Sequence, residues 1–290
     1  MRIFGVDFTS APGTRKSITC AVAELQHESM LLIQDMVALP TFTAFEALLQ
    51  QDGPWVAAFD FPFGQPRKLL TNLNWPQTWE GYVSYCAALG KTVFEETLTQ
   101  YQASRPAGDK QHTRVTDTLA KARSPMMLHR VPVGKMFFQG APRLLRSGVS
   151  VLPCRPTATN TIALEGYPAL VAQRWAGKMS YKSDERKKQI PEQQAARQQI
   201  VNGIRSDDLQ AIYNISIELS EATAKRLVQE PMGDELDAVL CAIQASWAYT
   251  QRVNGYGIPS SCDAVEGWIV DPVMLERFIN DQKIVGVGKK

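Results

Sequence analysis

The sequence predicts an α/β fold built on a mixed sheet, with three antiparallel strands first, parallel strands after them, and helices on both faces. Three apolar, β-branched runs separated by turn residues open the chain at 2–8, 17–24 and 30–38. A short amphipathic helix at 41–50 then leads to PWVAAFDF at 54–61. That run is apolar on both faces, which is typical of a central parallel strand.

The first strands read as a meander, because the turn cluster SAPGTRK lies between the first two. Thr41 or Thr43 can cap the helix that follows. Its apolar side chains fall on one helical face: Phe42, Phe45, Leu48 and Leu49. The next strand stops sharply at Pro62. This order of elements is how ribonuclease-H-like and actin-like folds begin.

The remaining chain alternates helical and strand patterns, and we expect a single domain over 1–290 with a mostly helical insertion at about 63–148. Within the insertion, helical patterns cover 76–89, 91–102, 134–146 and a short piece of 104–130. Beyond it, strands are predicted at 149–153 and 161–165. Helices are predicted at 168–175, 192–202, 207–226 and 232–249, with a charged run at 178–194 and one or two short elements in 260–288.

Composition excludes some classes of protein and leaves others open. The 290 residues are 44% hydrophobic and 21% charged, which suffices for a buried core. A net charge of +2 neither requires nor excludes a nucleic-acid partner. Five widely spaced Cys without a C-x-x-C pair argue against a disulfide framework or zinc knuckle. No apolar run approaches the ~18 residues of a membrane span, so we expect a cytoplasmic protein of undetermined oligomeric state.

Four acidic residues stand where apolar elements end or begin. Asp7 ends the first strand, Asp60 the central strand and Glu165 a later strand. Asp237 lies in the first turns of the helix at 232–249. A buried carboxylate is costly unless a cation meets it. One such acid is usually a turn former or a helix cap, but four in this order indicate a shared site.

Metal chemistry is the physical reason for such a cluster. Carboxylate oxygens are hard ligands that suit Mg²⁺ or Mn²⁺. Two such ions about 4 Å apart can activate a water and stabilise the leaving oxygen of a phosphodiester. If the first and central strands are neighbours, Asp7 and Asp60 project side by side at one sheet edge.

Five motifs between about residue 3 and about residue 250 resemble the domain of unknown function 429 family, described as predicted RNase-H-like nucleases: GVDFTSAP, AFDFPFG, RVTD, LEGYP and DELDAVLCA. The resemblance implies an RNase-H-like fold. It also implies that Asp7, Asp60 and Asp237 form an acidic site, with Glu165 as a fourth member.

Candidate substrate-binding residues follow the first acid or lie in polar middle segments. Hydroxyls just after the first strand could face the same cleft, and Arg or Lys side chains could hold a phosphate. A solvated surface loop is the alternative for the basic residues. The candidates are Thr9, Ser10, Arg114, Asp117, Arg155 and Lys182.

The pattern favours a metal-dependent phosphodiester hydrolase, a predicted nuclease acting on nucleic acid or nucleotides. Asp7 and Asp60 would be shared Mg²⁺ or Mn²⁺ ligands, with Asp237 completing one metal site and Glu165 the other. A nucleotide-binding, actin-like phosphotransferase is one alternative, although the first hairpin has a single Gly and no second fold copy is visible. A non-catalytic scaffold that binds nucleic acid or protein is the other.

Overall fold

The computed structural model describes residues 1–287, with side chains through Asp281. Seven strands form one sheet: β1 (Arg2–Asp7), β2 (Ile18–Gln26), β3 (Met30–Leu39), β4 (Trp55–Phe59), β5 (Ser150–Val151), β6 (Thr161–Glu165) and β7 (Ser216–Glu218). Their spatial order is β5-β6-β4-β1-β2-β3-β7. The β1–β2 and β2–β3 pairs are antiparallel and all other pairs are parallel. The predicted mixed sheet is confirmed, and its arrangement is consistent with an RNase-H-like fold.

Eleven α-helices connect the strands in the described part of the chain: α1 (Phe42–Leu49), α2 (Arg67–Asn72), α3 (Trp79–Ser104), α4 (Val115–Ala120), α5 (Val133–Ser147), α6 (Pro168–Ala176), α7 (Pro191–Ile204), α8 (Asp207–Tyr213), α9 (Glu221–Gln229), α10 (Asp234–Thr250) and α11 (Pro272–Val287). Within residues 1–287, none of these helices combines the length and apolar character that crossing a bilayer requires.

Alternate side chains of each strand enter two separate cores, one on each face of the sheet. One core packs Ile3 of β1 and Val56 of β4 against α6, α7, α9 and α10. The other packs Phe4 and Phe59 against α1, α2, α3 and α5. Much of the segment predicted as a helical insertion therefore covers one face, and α10 covers the middle of the other. This alternation decides which face each strand-end acid meets.

Three predicted parts of the chain differ from the observed elements. The helix predicted at 207–226 is α8, β7 and α9, because Asn214 adopts a left-handed conformation that ends α8 and Ser220 caps α9. Between them, β7 pairs with β3 and forms one edge of the sheet. The C-terminal segment holds the 16-residue helix α11. The predicted break between helices at 89–91 is a kink at Gly90 within α3, where φ is 76°.

Candidate active site

Asp7 and Asp60 lie side by side at the carboxyl ends of neighbouring parallel strands. The register pairs Val6 of β1 with Phe59 of β4, and the Asp60 amide donates to the Val6 carbonyl at 2.9 Å. Two residues before each acid, Gly5 and Ala58 are also paired. Because side chains alternate, both acids project on the face that α10 covers.

Close backbone packing brings α10 to this pair. A Cβ atom on Gly5 would lie 2.0 Å from the Ala238 carbonyl oxygen and 2.2 Å from the Ala242 nitrogen, so only glycine permits the observed contact. The helix begins after Gly233, whose φ is 73°, a left-handed conformation that glycine adopts without strain. Asp237 follows in the first turn, one residue before this contact.

The three aspartates converge. Asp7, Asp60 and Asp237 each offer a carboxylate oxygen within 4.8 Å of the other two. Asp7 and Asp237 are buried and Asp60 is half-buried. Hard oxygen donors at this spacing fit a divalent cation such as Mg²⁺ or Mn²⁺.

The positive charges near this group do not offset the burial of its carboxyls, because the pKa values of Asp7 and Asp60 stay raised. Burial raises the pKa of Asp7 well above its usual value, and the charges of Asp237, Asp234 and Asp60 add to the shift while Lys182 opposes it. Burial, together with the Asp237 charge, raises the pKa of Asp60 to about 7. A bound cation would lower both values, since opposite charge favours the ionised form.

A polar loop between α6 and α7 supplies the cation that the site does have. Lys182 donates from Nζ to Asp237 Oδ2, and the Tyr181 hydroxyl donates to Asp237 Oδ1 at 2.6 Å. Burial alone lowers the pKa of Lys182, but Asp237 and neighbouring acids outweigh it and raise that pKa well above its usual value. Lys182 is thus charged and reaches the acids directly.

The fourth acid is not part of this group. Glu165 pairs with Phe59 in the β4–β6 register, so its side chain starts on the opposite face from Asp60. Gly166 stands opposite Asp60 instead, and its amide donates to the Phe59 carbonyl at 2.9 Å. A one-residue offset in a strand reverses the face of a side chain. The expectation that Glu165 would complete a second metal site therefore does not match its position.

Arg114 binds both oxygens of Glu165. Its Nη2 donates to Glu165 Oε1 at 2.6 Å, and its Nη1 donates to Glu165 Oε2 at 2.8 Å. The same Nη2 also donates to Asp117 Oδ1 at 2.6 Å. All three side chains are buried. The Phe63 amide also donates to Glu165 Oε2 at 2.9 Å. Arg114 and Asp117, expected as substrate contacts, form a buried ion network that fixes the loop after β4.

The remaining expected contacts lie outside the lining of the pocket described next. Arg155 donates to Glu80 of α3 and does not line the pocket described next. Thr9 and Ser10 follow β1 on a half-buried turn, where Thr9 Oγ1 accepts from the Ala11 amide at 3.4 Å. Neither lines that pocket.

A cavity of about 270 Å³, here called the edge pocket, opens above Asp60 and Asp237. Lys182, Arg114 and Asp117 also line it. The run Phe61-Pro62-Phe63-Gly64 could be read from the sequence either as a substrate shelf or as core, and Phe61 and Pro62 line the pocket. Sequence reasoning missed the other walls, which come from the start of α5 with the residues before it and from the start of α6. The only sequence signal for Tyr181 is its place beside Lys182.

A comparison with known proteins complements this geometry. No curated protein and no solved structure matches the chain. A family described as "Protein of unknown function (DUF429)" matches residues 5–259, a span that includes every acid of the site. The chain belongs to the DUF429 family of proteins of unknown function.

Proposed function

We propose that this protein is a metal-dependent phosphodiester hydrolase, a nuclease in the broad sense. The observation that carries the proposal is the convergence of Asp7, Asp60 and Asp237 within 4.8 Å, with Asp60 and Asp237 also lining the edge pocket. Two of these acids follow adjacent parallel strands and the third lies on a helix that packs directly on one of them. An RNase-H-like sheet thus presents hard oxygen ligands beside a cavity.

The three aspartates would hold Mg²⁺ or Mn²⁺. The raised pKa values of Asp7 and Asp60 support this assignment, because buried carboxylates that resist ionisation gain most from a cation. A bound divalent ion supplies an activated water and neutralises charge on the phosphate. We assign Glu165 no ligand role, because its side chain starts on the opposite sheet face from Asp60 and lies outside the group of three converging carboxylates.

Protein groups around the acids would orient the substrate. Lys182 bonds Asp237 at the pocket wall, and its ammonium can also attract a phosphate oxygen. Tyr181 fixes the other Asp237 oxygen, so the carboxylate has one defined orientation. Arg114 acts through Glu165 and the Phe63 amide by fixing the chain that follows Asp60. Arg114 is therefore a positioning residue for the segment that follows Asp60.

The test is cleavage of labelled RNA and DNA, single-stranded and duplex, with Mg²⁺ or Mn²⁺. We expect cleavage that needs the ion and falls at least ~1,000-fold in Asp7→Asn, a loss of about 4 kcal/mol of transition-state stabilisation. Asp52→Asn is the matched control, because Asp52 is exposed and lies outside the site. A wild-type protein inactive on every substrate with both ions would refute the proposal.

Two alternatives predict different results. An actin-like phosphotransferase would bind ATP with Mg²⁺, and added ATP would raise its melting temperature in a saturable way. A non-catalytic scaffold would bind nucleic acid or protein without cleavage. The convergence of three carboxylates favours hydrolysis over a scaffold, because a binding surface gains nothing from buried acids whose ionisation is unfavourable.

A further inference from the structure

The shape of the edge pocket limits what can reach the acids. Its walls come from separate parts of the chain: the loop after β4, the end of α4, the start of α5, the β6–α6 junction, the Tyr181–Lys182 loop and α10. At about 270 Å³ it is near the lower end of the ~300–1,000 Å³ range of small-molecule sites. A cavity of this size matches one nucleotide better than a continuous duplex.

The wall chemistry favours a planar, apolar group. The apolar and aromatic part of the lining includes Pro62, Val133, Met136, Tyr167 and Pro168. Bases stack on aromatic rings with little dependence on sequence, at about 1–3 kcal/mol per base. Inorganic phosphate or a sugar phosphate would leave these side chains uncovered.

Charges of both signs line the edge pocket. Asp60 and Asp237 are among its lining residues, and Arg123 lines it while remaining exposed. Within residues 1–287 and their described side chains, Arg123 makes no ion pair. Both charges act on Tyr167: burial and the Asp60 charge raise its pKa, and the Arg123 charge lowers it. Arg123 is thus available for a second phosphate or a substrate oxygen.

We propose that the edge pocket takes one terminal nucleotide of a single strand, with its base against the apolar wall and its phosphodiester over the three aspartates. This inference rests on the proposed hydrolase function and narrows it to cleavage from an end. In the step, the oxygen of water bonds to phosphorus and the bond from phosphorus to the next nucleotide's oxygen breaks. The departing oxygen takes a proton, and a nucleoside monophosphate is released.

The decisive experiment compares a linear single-stranded DNA with the same sequence closed into a circle, both with Mn²⁺. We expect mononucleotides from the linear strand and at least ~100-fold slower cleavage of the circle. Equal rates on the two forms would overturn the terminal-nucleotide inference and leave the hydrolase proposal standing. If neither form is cleaved and calorimetry detects no Mn²⁺ binding, the hydrolase proposal fails, and this inference fails with it.

A binding measurement tests the pocket without turnover. Adenosine 5′-monophosphate should raise the melting temperature of the Mn²⁺-loaded protein, and ribose 5-phosphate, which lacks the base, should bind at least ~10-fold more weakly. Val133→Trp adds bulk to the pocket wall and should weaken adenosine 5′-monophosphate binding at least ~10-fold with Mn²⁺ affinity unchanged. Val253→Trp, at an 83% exposed position, is the matched control. Equal binding of the two phosphates, or of the two Trp variants, contradicts the inference.

Discussion

Gly5 lets the backbone of α10 pack closely on β1, which positions Asp237 beside Asp7 and Asp60. Gly5→Ala tests the role of this contact. An added Cβ would lie 2.0 Å from the Ala238 carbonyl oxygen, whereas ordinary contacts begin at 3.4 Å and 3.0 Å is the closest that real Cβ atoms approach. The backbone of α10 must therefore withdraw from β1 by about 1.0–1.4 Å. Asp237 is the residue before Ala238 and would move away from Asp7 and Asp60.

The displacement exceeds the ~0.5 Å tolerance of a functional constellation, and Mg²⁺ in particular demands near-ideal ligand geometry. We expect Mn²⁺ affinity to fall at least ~10-fold and Mg²⁺ affinity to fall further. Overpacking should also lower the free energy of unfolding by about 3 kcal/mol, the upper part of the usual range.

Isothermal titration calorimetry and urea unfolding measure the two effects, and circular dichroism confirms that the variant is folded. Gly13→Ala is the matched control, because an added Cβ there meets nothing within 4 Å. Gly5→Ala with cation affinity and stability within ~0.5 kcal/mol of the wild type would refute the argument that this contact positions Asp237.

Three further predictions concern charge. Because burial raises the pKa of Asp60 to about 7 and that of Asp7 well above its usual value, Mn²⁺ affinity should rise with pH through ~7. Without metal, the free energy of unfolding should fall between pH 4 and 7 by about 1.4 kcal/mol per pH unit for each of these two carboxyls, since the unfolded chain ionises first; calorimetry and urea unfolding across pH that show neither trend contradict this. Lys182→Met removes the ammonium that bonds Asp237 and should tighten Mn²⁺ binding ~10-fold, whereas weaker binding in calorimetry would show that Lys182 supports the ion. Arg114→Met leaves the buried carboxylates of Asp117 and Glu165 unpaired and should cost about 3–5 kcal/mol in urea unfolding; a loss below ~1 kcal/mol would contradict the network's role.

The sheet and two of its acids could be predicted because they depend on local pattern. A meander, a helix and a doubly apolar strand specify which strands are neighbours, so Asp7 and Asp60 follow from where those strands end. Asp237 follows from an acidic first turn on a small-residue helix. These features need only periodicity and the rule that parallel strands end at one edge.

Glu165 shows where strand-end reasoning loses accuracy. The sequence marks an acid at the end of an apolar run, but the face depends on register, which local pattern does not determine to one residue. Here Gly166, and not Glu165, stands opposite Asp60. Once the β4–β6 pairing is known, counting along the strands places the Glu165 side chain on the sheet face whose core contains Phe59 and Phe63.

The pocket walls could not be predicted because they are assembled by long-range packing. Val133 and Met136 lie in the first turn of α5, while Tyr167 immediately precedes α6, the helix that follows β6. Nothing in the spacing of these residues shows that they share a cavity. The pairing of Lys182 with Asp237, which are 55 positions apart, is equally non-local.

Calorimetric titration of the metal-free protein with Mn²⁺ at pH 8 tests the central claim most directly, alongside Asp7→Asn, Asp237→Asn and the exposed control Asp52→Asn. We expect saturable Mn²⁺ binding to the wild type and to Asp52→Asn, and Mn²⁺ affinity reduced at least ~10-fold in each site variant. A wild type that binds no Mn²⁺, or site variants that bind as tightly as the wild type, would contradict the claim that these aspartates form a metal site.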